Sequence, residues 1–194
     1  MAEFKELLGF AKRIKERKLQ KLVTDALRHP ALANKSFKYP TAKFQEAPGS
    51  VNWHHTQTGG LVEHTYAVTL MAIRVAETLE KTYKVKLDMD ALIAAALVHD
   101  IGKLWTTQKT KRGWEPTTLS LDHTMLGTSE LYARGFPEKV VHIVASHFGP
   151  NGPTPPQTVE AVVFHAIDNL DAMLGGQAAQ AAGQEEILKM LGLG

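Results

Sequence analysis

An all-α domain is the fold class this sequence predicts, and three observations carry the prediction. Apolar residues recur at three-four spacing through most of the chain. Stretches rich in Pro and Gly fall at the joints between the periodic segments. The one segment that breaks the pattern, WTTQKTKRGWEPTT (105–118), is short; with Thr and Trp on either side of Lys111-Arg112-Gly113, it reads as a small hairpin or ordered loop.

Taken in order, Phe4, Leu7, Leu8, Ala11, Ile14, Leu19, Leu22, Val23, Ala26 and Leu27 form one amphipathic stripe, ended by His29-Pro30. Residues 30–60 hold Pro30, Pro40, Pro48, Gly49, Gly59 and Gly60 and read as connecting structure with room for one short helix. Helices are expected over 61–83 and 90–100. Past the hairpin come 120–134, 137–147 with Pro137 in its first turn, and 157–174. GPNGPTPPQ (149–157) is a rigid connection, GGQAAQAAGQ (175–184) a flexible linker and EEILKMLGLG a short terminal helix. The expected organisation is an N-terminal helical extension, 1–49, packed on a core of 50–174, then a tail of linker and short helix, 175–194.

Of 194 residues, 44% are hydrophobic and 22% charged, enough for a core without covalent staples. The absence of cysteine excludes disulfides and thiolate metal sites and fits a reducing cytoplasm, so any metal must sit on His, Asp or Glu. The longest apolar run, Ala91 to Val98, is too short to cross a bilayer. MAEFKELLGFAKR carries acidic residues and no apolar signal core, so no export signal is read. A net charge of +2 gives little global attraction to nucleic acid. KRIKERKLQK (12–21) is locally basic and reads as a solvated face, with nucleic-acid contact the lesser alternative.

Each core helix brings a His or Asp to its inward stripe. His64 follows Leu61 and precedes Val68, Met71, Val75 and Leu79; His99 falls in line with Leu92, Ala96 and Lys103. His123 shares a face with Leu119, Leu126 and Glu130, where Gly127 allows a close neighbour. His147 ends the run Val140, Ile143, Val144, and Asp168 follows Ala161 and His165. One inward histidine is more often a hydrogen-bonded core residue than a ligand. Five helices making the same exception is a different matter, because a buried ionisable group is costly unless paired or metal-bound. Convergence on a metal removes the cost at every position, and helical bundles build metal sites from facing helices in this way. His99 and Asp100 therefore end the helix ALIAAALV as the floor of a metal site. Adjacent helical residues point about 100° apart, so their convergence requires a frayed final turn.

The pattern resembles the HD-domain metal-dependent phosphohydrolase superfamily, whose signature is H…HD…H…H…D on a helical core. The resemblance spans residues 50 to 174, and HHTQTGGLVEHT (54–65), HDIGKL (99–104), LDHTMLG (121–127) and VEAVVFHAIDNLDAML (159–174) narrow it to the HD domain of the YhaM-type 3′→5′ exoribonucleases. The resemblance implies that His64, His99, Asp100 and Asp168 hold one divalent ion. His123 and His147 would hold a second, with Asp100 bridging both; Mn, Mg, Fe, Ni and Zn all suit such ligands. Pairs of this kind sit about 3.5–4 Å apart and activate water for attack on phosphorus. Catalysis falls to Asp100 and Lys103, with Lys103 also stabilising the phosphoryl oxygens. Phe148 stands where many relatives carry a further histidine, which leaves a mononuclear or a dinuclear centre. YhaM-type enzymes also carry an OB-fold domain, and the helical block before this core cannot build that five-stranded barrel, which argues against processive action on long RNA.

Several other residues have two readings. His55 either lines the pocket and touches phosphate or caps loop backbone. Glu63 favours its helix start through the dipole. His165 is an orienting or packing neighbour of the donors, and Asp171 is structural or holds a ligand histidine. Trp105, Lys109, Lys111, Arg112 and Trp114 form either a lid that stacks a base and grips phosphate, with Arg112 as a substrate contact, or a Trp-anchored hairpin with solvated charges. The function expected is a phosphohydrolase of phosphodiesterase or nucleotidase type, acting on a nucleotide or short oligonucleotide through metal-activated water. The alternatives are an HD-fold di-iron oxygenase and a non-catalytic nucleotide- or RNA-binding module. The expected partners are a phosphorylated small molecule or oligonucleotide, with nucleic acid left open and no membrane.

Overall fold

The computed structural model describes the backbone of residues 2–190, and the side chains of these except 179 and 182–190. Helices account for nearly all of its regular structure. The elements are α1 (Phe4–Ala11), α2 (Arg17–Arg28), α3 (Gly60–Tyr83), α4 (Met89–Val98), α5 (Lys103–Thr106), β1 (Thr107–Thr110), β2 (Gly113–Pro116), α6 (His123–Ala133), α7 (Glu138–Ala145) and α8 (Val159–Met190). A single 3₁₀ turn, Gly149–Asn151, follows α7. No described helix is long and apolar enough to cross a membrane.

The centre of the molecule is α4. Every residue from Ala91 to Val98 is buried, and α1, α2, α3, α7 and α8 all pack against it. Asp88 caps its start by accepting from Ala91 N at 3.0 Å. Burial of Leu92, Ile93 and Leu97 contributes roughly 1.5–3 kcal/mol each, which makes this helix a firm support for the residues that follow it.

The N-terminal stripe is two helices rather than one. The charged stretch after Ala11 breaks the helix, and the break is held from outside: the Asp90 carboxylate accepts from Lys15 N and from Glu16 N, the latter at 2.8 Å. Glu16 then caps α2, accepting from Lys18 N and Leu19 N. Apolar spacing survives the break because both pieces lean on the same surface, α1 on α3 and α4 and α2 on α4. Residues 30–59 contain turns and no helix.

After α5 the chain makes a two-stranded antiparallel hairpin, with Thr107 opposite Pro116 and Thr110 opposite Gly113. Trp105, fully buried, anchors it and donates Nε1–H to Thr41 Oγ1 at 3.1 Å. The stretch 175–184 is helical rather than a linker: α8 runs unbroken through it to Met190. Its Ala and Gln residues favour helix. Gly175 and Gly176 admit a close neighbour: a Cβ on them would lie 2.9 Å from His55 Nε2 and 2.8 Å from Trp53 Nε1, respectively. Of the expected terminal helix, residues 185–190 are the last turns of α8, and 191–194 lie outside the described residues.

Candidate metal centre

The α-helical winding of α4 stops at Val98, and the next residues turn more tightly. Ile101 N bonds Val98 O at 3.1 Å and Lys103 N bonds Asp100 O at 2.9 Å, the i to i+3 pattern of a 3₁₀ turn. His99 folds back so that Nδ1 donates to Ala96 O at 2.9 Å. Its Nε2 then lies 3.3 Å from Asp100 Oδ2. Neighbours that an ideal helix would splay apart thus meet.

The other donors arrive from separate elements. His64, in the first turns of α3, places Nε2 3.1 Å from His99 Nε2 and 3.4 Å from Asp100 Oδ2. Asp168 of α8 brings Oδ1 to 3.1 Å from His64 Nε2 and 3.4 Å from His99 Nε2. On the far side of Asp100, Oδ1 lies 3.3 Å from Nε2 of His123, the first residue of α6. His147, just beyond α7, completes this side. The donor atoms of His64, His99 and Asp168 lie within 4.8 Å of one another, as do those of Asp100, His123 and His147. Each trio could hold a metal ion, and Asp100 faces both.

Two glycines set the approach of α6. A Cβ on Gly102 would fall 1.9 Å from His123 O and 3.0 Å from Gly127 N, so backbone meets backbone where Ala would not fit. The close neighbour expected at Gly127 is Gly102.

Hydrogen bonds to the outer ring nitrogens fix the tautomers. His99 Nδ1 donates to Ala96 O, His147 Nδ1 to Val144 O at 2.7 Å, and His64 Nδ1 to Asp171 Oδ2 at 2.6 Å. A carbonyl or carboxylate oxygen only accepts here, so each Nδ1 carries a proton, and in the neutral ring each Nε2 presents a lone pair inward. The Nε2 atoms of His64 and His99 therefore oppose each other across 3.1 Å, beside two carboxylate oxygens. That arrangement calls for a cation among the four atoms, so the residues fit a divalent ion.

Without an ion, the same carboxylates draw protons onto the facing imidazoles. Burial lowers the basicity of His64 and His99, but Asp100 and Asp168 outweigh it, raising His64 well above its ordinary value and His99 to about 9. Burial opposes ionisation of Asp100, yet Lys103 and His99 hold it well below the usual carboxylate range. Asp168, paired with His64 and His99, is likewise depressed against the effect of burial. Burial dominates at His147, which drops to about 4 and stays neutral.

A cavity of about 460 Å³ opens onto this centre. It exposes His64, Asp100, Lys103, His123, His147 and Asp168, each of them expected at the site. Lys103 Nζ lies 2.5 Å from Asp100 Oδ2. Two expected substrate contacts are not brought there. His55 turns away to bond Asp171 Oδ2 at 2.9 Å, because that carboxylate sits between it and His64. Arg112 sits at the exposed hairpin tip, paired with Glu115 at 3.0 Å. The lid reading of the hairpin fails for the same reason: Trp105 is core, and Lys109 Nζ rests 5.8 Å from the centre of the Trp114 ring. Only the hairpin base, through Thr107 and Pro116, reaches the cavity.

Asp171 does more than fill space, since its carboxylate fixes the orientation of the His64 ring. Trp53 and His54 also line the cavity and had not been singled out as pocket residues. The clue available for them was only the aromatic run Trp53-His54-His55 ahead of the first donor helix. His165 reaches the wall by donating Nδ1–H to His147 O at 2.8 Å. Glu63 accepts from Gln57 Nε2 in the first turn of α3.

A helical core that gathers His and Asp donors from five elements onto one cavity defines a class by itself. The chain belongs to the HD-domain family, whose model matches residues 61–173 and so takes in every donor named above. A dihydroneopterin 2′,3′-cyclic phosphate phosphodiesterase of Methanocaldococcus jannaschii is 38% identical over 176 residues, 90% of this chain and 71% of that protein. A 3′-5′ exoribonuclease YhaM of Oceanobacillus iheyensis is 34% identical over 154 residues, 68% of this chain and 45% of that protein. The YhaM of Bacillus subtilis is 28% identical over 149 residues, 69% of this chain and 45% of that protein. The chain thus spans less than half the length of these exoribonucleases. No solved structure matches it.

Proposed function

We propose that this chain is a metal-dependent phosphodiesterase acting on a small, nucleotide-like cyclic phosphodiester. One observation carries the reading: two inward Nε2 atoms 3.1 Å apart, flanked by two carboxylates, at the floor of a cavity of ligand size. His64, His99, Asp100 and Asp168 would hold one ion. His123 and His147 would hold a second, with Asp100 common to both sets. When bound, divalent ions of this kind supply a water of lowered pKa and Lewis-acid stabilisation of developing charge.

The chain's own groups do the rest. Asp171 and the carbonyls of Ala96 and Val144 keep the three imidazoles turned inward. The Lys103 ammonium, on the cavity wall beside Asp100, is placed to offset negative charge gathering on phosphoryl oxygens. Lys103 is the single Lys or Arg among the residues lining the cavity, whereas a strand-binding channel tracks successive phosphates with many cations. A small ester therefore suits the cavity better than a polynucleotide. The relative matched over 90% of this chain is named for a 2′,3′-cyclic phosphate, and we carry that ester chemistry over.

The test uses protein stripped of metal and reloaded with Mn²⁺, assayed on a nucleoside 2′,3′-cyclic phosphate and on bis-p-nitrophenyl phosphate. Turnover is expected only in the reloaded protein, and Asp100→Ala should lower it by about a hundredfold or more. A fully loaded protein inert toward both esters would overturn the reading.

A further inference from the structure

Two large aromatic side chains stand half-exposed at this cavity, where a soluble protein usually buries them. Trp53 is 51% exposed and Phe148 47%, and both line the wall. Neither belongs to the donor set. Each stands beside a different half of it. Trp53 packs edge-on against His54, with ring centres 5.0 Å apart, and His54 in turn lies 4.9 Å from His64. Phe148 lies 4.7 Å from the His147 ring and 5.3 Å from that of His123.

Neither ring is a loose surface side chain. The indole of Trp53 rests on α8 at Gly176, where a Cβ would come within 2.8 Å of Nε1. His54, 4% exposed, braces it from the other side. Phe148 is braced by its two histidine neighbours. Rigid aromatic faces at a cavity mouth cost little ordering entropy when a flat ligand stacks on them. Val51, Leu119 and Leu121 extend the same wall with apolar surface.

We infer that Trp53 and Phe148 form a stacking platform that selects phosphodiesters whose alcohol carries a planar heteroaromatic group. The inference rests on the phosphodiesterase reading for the position of the phosphate. It adds that a ring, rather than a second phosphate, supplies the remaining recognition, because the wall offers aromatic faces and one cation. Stacking tolerates any flat heterocycle, so nucleobases and pterin-like bicycles are both admitted.

The experiment compares a nucleoside 2′,3′-cyclic phosphate with glycerol 1,2-cyclic phosphate, which presents a cyclic ester without a ring. Trp53→Leu is expected to lower kcat/KM for the ring-bearing ester by about tenfold, leave the glycerol ester within about twofold, and be rescued by Trp53→Phe. Phe148→Leu should show the same selective loss. Equal losses on both esters would make the two residues structural and overturn the inference, as would no loss on either. Should the wild type turn over neither ester nor bis-p-nitrophenyl phosphate, the phosphodiesterase reading fails by itself. Calorimetric binding of a nucleoside 3′-phosphate against glycerol phosphate then decides the platform: a preference for the nucleotide that Trp53→Leu removes supports it, and equal binding overturns it.

Discussion

Asp171 holds two histidines with one carboxylate, His64 at 2.6 Å and His55 at 2.9 Å. Burial works against its ionisation, but those two partners keep it ionised, well below its ordinary value. Its role is to aim His64. Asp171→Asn preserves shape while weakening that grip, so metal affinity should fall about 10–100-fold with the helical circular dichroism unchanged. Direct metal titration measures it, and an unaltered affinity would make the pair incidental. A second prediction concerns protons. In ion-free protein His99 titrates at about 9, burial lowering the value and Asp100 and Asp168 raising it by more. A metal ion must displace that proton and the one on His64, whose basicity is raised in the same way, so affinity should climb as pH rises toward about 9. Titrations stepped between about pH 6 and 9, in a buffer that does not chelate, would read the slope; a flat profile would mean the proton resides elsewhere.

At the scale of elements, the spacing between the two donor trios is fixed where α5 meets α6. Gly102→Ala would press a methyl group into His123 O and move His123 away from Asp100. Turnover should fall by about a hundredfold, as sub-ångström to 1 Å misplacements do, while the His64–His99–Asp168 trio keeps its ion. Metal content per chain together with activity checks this. The same scale shows what was legible beforehand. The convergence of these His and Asp side chains was, because a His or Asp repeated on the inward stripe of five helices is a pattern that no single helix explains. The hairpin was as well, from Thr and Trp about a glycine turn. The break between α1 and α2 was not, since apolar spacing continues across it and the groups that stabilise it include Asp90, remote in sequence. Nor was the helical state of residues 175–184, where Gly175 and Gly176 look flexible until the loop at Trp53 and His55 lies against them. His55 and Arg112 were misplaced for a related reason: proximity along the chain does not reveal which acid will capture a side chain first.

For the whole molecule, the centre ties α3, the end of α4, α6, the end of α7 and α8 together, and an ion there binds the folded chain alone. By mass action a metal at about 100 times its Kd adds about 2.7 kcal/mol of stability, or roughly 5–10 °C in Tm for a chain of this size. Thermal melts with and without a chelator should differ by that amount, and Asp168→Asn should shrink the difference. Equal melts would show that no ion occupies the centre. Family membership and helical class follow from periodicity and motif. The cavity's aromatic rim required the fold.

Because Asp168 and Asp171 both reside on α8, the last of the described helices, the order of synthesis acquires meaning. A ribosome-bound chain that has released only α3 and α4 exposes His64 and His99 without either of the acids that aim and balance them. Until α8 emerges the His64–His99 side lacks its third donor, and a premature stop before α8 leaves only the Asp100–His123–His147 trio to be assembled.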